Sequence, residues 1–389
     1  MTTRTLKAET VQRLAKAKDA PPAEVLARLE TIKDKEFPNA ETLEKWFADN
    51  AIPADVKARV LREIPTKGEV ASDLFYCLDA STGATIWKQE FPGQKIHLNG
   101  CSSTVCVAGE RLYATGGNTT VYCLSTKDGS PVWKSPVPRE SAGWAGSSSP
   151  LVTDGLVILI AGQLTAYKET DGSQVWTQPK LKSVAASPIL WTSGGKTHVL
   201  CNSDAGLACV EIATGNVLWT APGGANGTPA VSDDILVQVT DKKDLGIVAY
   251  KITPQKAEKL WNITPFEDRG TSAVIYEGHV YAVGGAKDWR ALCANLADGK
   301  ILWQEKSDDF KKSEVSTPII ADGKVIHYAG GDAANLVMFR ASPEKYELLA
   351  KAKVEPAKVP AFNCTCASIV DGKLFLRLNE HVACFDLGK

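Results

Sequence analysis

The sequence predicts an all-β propeller of four-stranded antiparallel blades, preceded by a short α-helical segment. Three observations support this fold class. A unit that ends in tryptophan recurs along the chain, its spacing is close to 42 residues, and short apolar strands with glycine turns fill each interval. A fixed period of this size, combined with regular turn signals, is typical of propellers and related repeat arrays.

The recurring unit is a strand, a tight turn and a second strand. Its copies are CLDASTGATIW, CLSTKDGSPVW, AYKETDGSQVW, CVEIATGNVLW, the longer AYKITPQKAEKLW, and CANLADGKILW. Successive final tryptophans are 46, 43, 43, 42 and 42 residues apart. The segment FRASPEKYELL (339–349) keeps the spacing without a tryptophan, and HVACFDLGK (381–389) begins an eighth copy and stops at its turn.

Each unit also has a first half, of which SSSPLVTDGLVILIAG (147–162) is typical. It reads as a short strand, an Asp-Gly turn and an apolar strand, because Asp-Gly supplies the positive φ that tight hairpins need. One repeat is therefore four antiparallel strands. A single sheet of this kind cannot bury both of its faces, so the sheets must stack around an axis.

The tryptophans and the small residues of the repeat predict the contact between blades. We expect each Trp ring to pack on the adjacent blade near the small residue of the repeat, which would make the cysteines at this position small buried hydrophobes. Cys384 shares that position in the last repeat. The predicted docking pairs are Cys77 and Trp87, Cys123 and Trp133, Ala166 and Trp176, Cys209 and Trp219, Ala249 and Trp261, and Cys293 and Trp303.

Residues 1–70 differ from the repeats and form the first predicted domain; residues 71–389 form the second. ETVQRLAKAK, PPAEVLARLETIKD, AETLEKWFAD and PADVKARVLREI predict three or four short amphipathic helices. They stand where the first two strands of repeat 1 are expected. Either seven blades close, with repeats 1 and 8 merged, or eight blades are intended and the helices are an insertion into the first. The second alternative is favoured.

Charge and hydropathy limit the function. The net charge is −1, with 23% charged residues and no long basic run, so binding to nucleic acid is not expected. No apolar stretch is long enough for a transmembrane helix. The N-terminus has no signal peptide, which leaves a cytoplasmic protein, a removed signal or a start that is not the natural one. The five histidines are scattered, and we expect no metal site.

The pattern A/C-x-D-x-x-[TD]-G-x-x-x-W, repeated from about Leu74 onward, resembles the quinoprotein-type (PQQ-like) repeat. The resemblance is to bacterial PQQ-binding-like, BamB-like β-propeller proteins, which include the propeller lipoprotein of the outer-membrane β-barrel assembly machinery. It implies an exported, non-catalytic binding platform in the periplasm or cell envelope. The quinone-dependent alcohol and sugar dehydrogenases share this repeat.

The segments that enter the innermost strands would line a central funnel, and they are rich in Ser, Thr, Gly and Asn. The funnel candidates for ligand binding are Asn99, Trp144, Asn226, Arg269 and Asn363. Trp144 could stack on a flat ligand, and Arg269 is a plausible hot spot. For the small polar residues, such as Thr228 and Ser316, bonding to local backbone groups is the favoured role.

We therefore expect a monomeric scaffold that binds a protein or a small ligand at its funnel, without catalytic residues and without a cofactor. The alternative is a dehydrogenase with bound PQQ and Ca²⁺, which needs several carboxylate and amide oxygens around the quinone. Few ionisable residues lie in the funnel segments, which disfavours it. A third possibility is that the N-terminal helices dock another protein.

Overall fold

The computed structural model describes most of the chain. The described residues are 4–6, 8–17, 20–38, 40–63, 70–95, 103–116, 120–137, 148–183, 185–224, 226–285, 289–311, 313, 315–329, 335–354, 367–378 and 382–387. Contacts group the chain into two compact units, residues 1–74 with 90–96 and residues 75–89 with 97–389. The division of the chain at residue 70 stays a prediction.

The first unit contains four helices and two very short strands. These elements are β1 (Arg4–Thr5), α1 (Ala8–Lys16), α2 (Ala23–Glu30), β2 (Glu36–Phe37), α3 (Ala40–Asp49) and α4 (Ala54–Glu63). Apolar side chains recur at helical spacing, as in Leu43 and Phe47 of α3 and Val56 and Val60 of α4, and all four are buried in one core. The predicted N-terminal helical segment is confirmed. Among the described residues, no helix is long and apolar enough to cross a membrane.

The second unit is built from antiparallel sheets of short strands. A hairpin of β3 (Val70–Leu78) and β4 (Thr85–Lys95) starts the series. The next three sheets are blade 1, β5 (Cys106–Ala108), β6 (Arg111–Thr115), β7 (Thr120–Ser125) and β8 (Pro131–Pro136); blade 2, β9 (Leu151–Thr153), β10 (Leu156–Lys168) and β11 (Gln174–Ser183); and blade 3, β12 (Ile189–Ser193), β13 (Lys196–Ser203), β14 (Gly206–Glu211) and β15 (Val217–Ala221).

Four more sheets follow in the same order. They are blade 4, β16 (Ala230–Ser232), β17 (Ile235–Val239), β18 (Ile247–Ile252) and β19 (Ala257–Ile263); blade 5, β20 (Val274–Tyr276), β21 (His279–Gly284), β22 (Arg290–Asn295) and β23 (Ile301–Lys306); blade 6, β24 (Ile319–Ala321), β25 (Lys324–Tyr328), β26 (Asn335–Arg340) and β27 (Leu348–Lys353); and blade 7, β28 (Ser368–Val370), β29 (Lys373–Arg377) and β30 (Val382–Asp386). A short 3-10 helix (Asp308–Phe310) precedes blade 6.

The predicted propeller of antiparallel blades is confirmed. Consecutive strands pair within each blade, and in blade 2 one long strand, β10, runs through the second and third positions. The inner strands of neighbouring blades contact one another, as β16 and β20 do, so they line the axis. The hairpin is the first of the eight predicted repeats and blade 7 the last. They form separate sheets within the described residues, so the first and last repeats do not merge there.

The outer strands carry the contact that joins the blades. The indole N–H of each repeat tryptophan donates to a backbone carbonyl in the turn of the next blade, at 2.7–2.9 Å. The bonded pairs are Trp87 with Thr126, Trp133 with Glu169, Trp176 with Ile212, Trp219 with Thr253, Trp261 with Leu296, and Trp303 with Ser342. We call these six contacts the docking belt.

In four of the six contacts the ring packs on a glycine of the next blade, whereas the sequence predicts the small residue of the repeat there; the turns that receive Trp219 and Trp303 contain no glycine. Gly172 has a φ of 72°, and a Cβ built on it would lie 2.5 Å from the Trp133 ring. The small residue instead stands directly opposite the tryptophan in the same blade, as Cys123 does opposite Trp133. It also pairs with Tyr113 on its other side, and the Tyr113 and Trp133 ring centroids are 5.9 Å apart. The small side chain therefore lets two aromatic rings meet across the middle strand.

The cysteines at the small position of the repeat are buried in the four-stranded blades and more exposed in the incomplete ones. Cys123, Cys209 and Cys293 are buried, and burial raises the pKa of the Cys209 thiol to about 12. Cys77 is only half-buried and Cys384 is exposed. These two depart from the expected burial because they lie in the two-stranded hairpin and the three-stranded blade 7, where fewer strands cover them.

Turn length shifts the strand register in two repeats, and in blade 6 the observed register differs from the predicted one. In blade 4 Ala249 pairs with Trp261, twelve residues later, because that turn is longer. In blade 6 the same register pairs Met338 with Ala350. The tryptophan position of this repeat is therefore Ala350, one residue beyond the expected Leu349, and the usually small position holds Met338.

Substituting Gly172 tests the docking belt. Gly155, in the same blade, has a φ of 71° and open space where a Cβ would lie, so it is a matched control. Alanine at either position should cost about 1 kcal/mol of unfolding free energy because of the left-handed backbone. Gly172→Ala should cost a further ~1–3 kcal/mol because the methyl group displaces the Trp133 ring. Urea unfolding measures the difference, and equal losses would contradict the role of the glycine.

Candidate functional site

The inner rim of the propeller is tied by a series of side-chain hydroxyls. Each belongs to the residue two positions before an innermost strand, and its oxygen accepts a backbone N–H from the equivalent residue of the preceding blade. The bonds run from Thr104 N to Ser149 Oγ, Ser149 N to Ser187 Oγ, Ser187 N to Thr228 Oγ1, Thr228 N to Ser272 Oγ, and Ser272 N to Thr317 Oγ1, at 2.9–3.1 Å. We call this the hydroxyl arc; it connects blades 1 to 6.

The hydroxyl arc explains the Ser and Thr content of the funnel segments. The Thr228 hydroxyl accepts the Ser187 N–H, and the Thr228 N–H donates to Ser272; the hydroxyl thus bonds backbone, as expected, but backbone of the preceding blade and not of its own segment. Buried Ser148, one residue before the arc, accepts the N–H of Ile160 on β10. The Ser316 carbonyl accepts the hydroxyl of Thr271. These polar groups hold strand starts together, because an unpaired buried N–H is costly.

Two of the five funnel candidates are brought together. The backbone N–H of Asn226 donates to the Arg269 carbonyl at 2.7 Å, so the entry segments of blades 4 and 5 touch at the rim. The Arg269 side chain is exposed and that of Asn226 is half-buried. Asn99, Trp144 and Asn363 lie outside the described residues, and their roles stay predictions.

Buried side chains on second strands fix the segment that carries Asn226. Asn202 of β13 donates to the carbonyls of Gly224 and Gly227 and accepts the N–H of Gly224. Gln238 of β17 donates to the Gly227 carbonyl from the other side. Both amides are fully buried, so the segment is held from two blades. A side-chain amide suits this task because it carries both donors and an acceptor.

Asp268 is a structural centre of the rim that the sequence did not assign. It is 1% exposed, and its Oδ1 accepts the N–H groups of Gly270, Thr271 and Val315 while its Oδ2 accepts that of Gly285. Burial raises the pKa of this carboxyl, and the four N–H donors act in the opposite direction. The carboxylate joins segments of blades 5 and 6 in one corner.

A buried histidine supports the same corner from β25. The His327 Nε2 atom lies 2.8 Å from the Ser313 hydroxyl, and the Ser313 carbonyl in turn faces the Thr271 hydroxyl. Its Nδ1 has no partner among the described residues. Burial lowers the pKa of His327 to about 3, so the ring is neutral at physiological pH. This neutral side chain fills the space between the 3-10 helix and the rim.

Trp191 adds a second indole contact that the repeat pattern missed. It lies on β12, an inner strand, and its indole N–H donates to the Asp233 carbonyl of blade 4 at 2.9 Å. Blades 3 and 4 are thus joined by two tryptophans, Trp191 near the axis and Trp219 at the perimeter. No other repeat has a tryptophan at this place, so periodicity could not reveal its role.

Two described rim residues that could offer oxygens to a quinone–calcium centre, Asp268 and Asn202, are already engaged. Such a centre needs carboxylate and amide oxygens that are free to bind a cation. Both oxygens of Asp268 already accept backbone N–H groups, and the Asn202 oxygen accepts the Gly224 N–H. Among the described residues, no group of three or more His, Cys, Asp or Glu side chains is placed to hold a metal ion.

The docking belt and the hydroxyl arc define a tryptophan-docked β-propeller. The chain belongs to the family described as outer membrane protein assembly factor BamB, whose model matches residues 71–228 and 204–350. The resemblance to BamB-like PQQ-repeat propellers is thereby confirmed.

One solved structure supports this fold. The crystal structure of BamB from Moraxella catarrhalis is similar, with a TM-score of 0.60 at 15% identity; the match covers 81% of this chain and 89% of that one. The computationally designed Ika8 protein also matches, with a TM-score of 0.45 at 13% identity over 72% of this chain and 95% of that one. A search of curated proteins finds no match. At these identities the likeness shows the fold alone.

Removing one hydroxyl tests the arc. Ser187→Ala leaves the Ser149 N–H without its acceptor and should lower the free energy of unfolding by about 1 kcal/mol. Ser187→Thr keeps the hydroxyl, as Thr228 does at the equivalent position, and should stay close to the parent protein. Chemical denaturation compares the three proteins. An alanine variant as stable as the threonine variant would contradict the role of the hydroxyl.

His327 should make the propeller sensitive to acid. The pKa of His327 in the folded protein is about 3, well below the unfolded value near 6.5. The unfolded chain therefore binds a proton first, and stability falls as pH drops from about 6.5 toward 3, by up to about 1.4 kcal/mol per pH unit. His327→Gln should flatten this slope in unfolding free energies measured between pH 7 and 4. An unchanged slope would contradict the assignment.

Proposed function

We propose that this protein is a non-catalytic binding scaffold of the bacterial cell envelope, which holds a protein partner against its inner rim and the neighbouring loops. The observation that supports it most is the state of the rim. Its hydroxyls, the Asp268 carboxylate and the Asn202 amide are engaged in bonds between blades and loops. These groups build a rigid surface, and rigid loop-bearing frames suit recognition.

The family supports the same conclusion. Its description names an assembly factor for outer membrane proteins, and we propose a comparable role in bringing proteins together for this chain. Arg269 is the described candidate best placed to contact a partner, because its side chain is exposed while its backbone is fixed by Asn226. Arginine is enriched among residues that dominate binding energy at protein interfaces.

Site-specific photocrosslinking in the source bacterium tests the proposal. A crosslinking residue replaces Arg269 at the rim; the control replaces Lys127, an exposed residue in a turn at the other end of the blades. We expect one defined protein adduct from the rim position, recovered with the cell envelope, and none from the control. A third probe at Glu41 on α3 would reveal a partner held by the helices instead.

The competing dehydrogenase function is tested on the purified protein. It is titrated with PQQ and Ca²⁺, and turnover of alcohols and sugars is followed with an artificial electron acceptor. We expect neither tight binding nor turnover. Sub-micromolar PQQ binding with turnover, together with equal crosslinking at rim and control positions, would overturn the scaffold function.

A further inference from the structure

The docking belt is interrupted once along the described blades. Six tryptophan contacts join the hairpin to blade 1 and then each blade to the next, up to blade 6. Between blades 6 and 7 the tryptophan position is Ala350, which is exposed and has no side-chain N–H. We call the contact between these two blades the seam.

In the cross-strand row that contains Ala350, the large and the small side chains also occupy opposite positions from those in the other blades. In blade 5 Tyr281, Cys293 and Trp303 stand side by side, with the small residue between two rings. In blade 6 the equivalent row is Ile326, Met338 and Ala350, with the large residue in the middle. Met338 is flexible and fills space without a donor, so the row keeps some volume and loses the directed bond.

Blade 7 keeps the residue whose carbonyl would accept a tryptophan N–H, because Leu387 stands at the position of Leu296 in blade 5. The Leu387 N–H donates to the Gly372 carbonyl at 2.8 Å, as the Leu296 N–H does to Gly278 in blade 5. Leu296 lies under Trp261 and is 7% exposed, whereas Leu387 is 47% exposed. Leu387 is therefore held at the acceptor position, and its side chain is uncovered.

The core of the seam has a further weakness. Tyr328, on β25, is 4% exposed and packs against Leu374 and Leu376 of blade 7. Its buried hydroxyl has no hydrogen-bond partner among the described residues. By contrast, the hydroxyl of Tyr250, on the third strand of blade 4, is satisfied: it donates to the Pro222 carbonyl at 2.8 Å. An unmade bond of this kind lowers the stability of the contact that contains it.

We propose that blade 7 is a movable element: it separates from blade 6 and opens as one cooperative unit while blades 1 to 6 stay folded. In a ring whose blades contact only their neighbours, the stability of each blade depends on its own contacts, so the weakest contact sets where opening starts. The seam lacks the indole bond, holds a buried unsatisfied hydroxyl and leaves Leu387 uncovered. Opening there releases blade 7 from blade 6 without global unfolding.

Native-state hydrogen exchange on the full chain, read by mass spectrometry, tests this. We expect amides of β28, β29 and β30 to exchange at least ten-fold faster than those of β20, β21 and β22, and at a common opening rate. The central strand β29 decides the matter, because Leu374 and Leu376 are buried and β29 is paired on both sides. Fast exchange in β30 alone would mean edge fraying and would overturn the proposal, as would uniform exchange across the blades.

Variants of the seam complete the test. Met338→Cys with Ala350→Trp recreates the docking row and should slow exchange throughout blade 7 at least ten-fold, with no change in blade 4. Met338→Cys alone is the control. Trp303→Ala opens the equivalent contact and should speed exchange in blade 6.

A second variant covers the case in which the double variant does not fold. Tyr328→Phe removes the unsatisfied hydroxyl and should slow exchange in blade 7. Tyr250→Phe loses a real bond and should speed exchange in blade 4. If blade 7 exchanges at the parent rate in Tyr328→Phe and in any folded double variant, the seam does not control its opening.

Discussion

The contact on which this propeller depends is an indole ring laid over a turn of the next blade, which carries a glycine in four of the six contacts. It combines a large buried ring with one directed N–H bond, and so it fixes both the distance and the register of neighbouring sheets. Where the turn holds a glycine, as at Gly172, a Cβ would enter the ring; in blade 1 the small Cys123 leaves room for the Tyr113 ring to meet Trp133. The tryptophan of the repeat motif recurs because it makes this contact in each of these blades.

The inner rim follows from the outer contact. Once the outer strands fix the spacing of the blades, the innermost strands begin close enough for a hydroxyl of one blade to accept an N–H of the blade before it. Ser and Thr suit this place because one short side chain supplies the acceptor without filling the axis. The two series of contacts differ in chemistry, apolar at the perimeter and polar at the axis, and together they join blades 1 to 6 at both places.

The repeat, its four strands and the helical N-terminus were predictable because each rests on local patterns of period, turn residues and amphipathic spacing. Partners that lie one repeat apart were not, since nothing in a single repeat states that Ser149 accepts from Thr104 or that Asp268 binds Val315. Trp191 and Asp268 occur once and have no period. The tryptophan position of blade 6 was expected at Leu349 and lies at Ala350, because turn length shifts the register and is visible only in the paired strands.

The engagement of the rim groups bears on how such a scaffold can be specific. A side chain that already holds two blades together cannot turn toward a partner without weakening the ring, so the hydroxyl arc and Asp268 offer shape rather than adaptable contacts. For the scaffold function that we propose, we expect specificity to come from exposed side chains on fixed backbone, of which Arg269 is the described example. Such a division keeps the frame constant while single loop residues change, and it lets related propellers recognise different partners with one set of blade contacts.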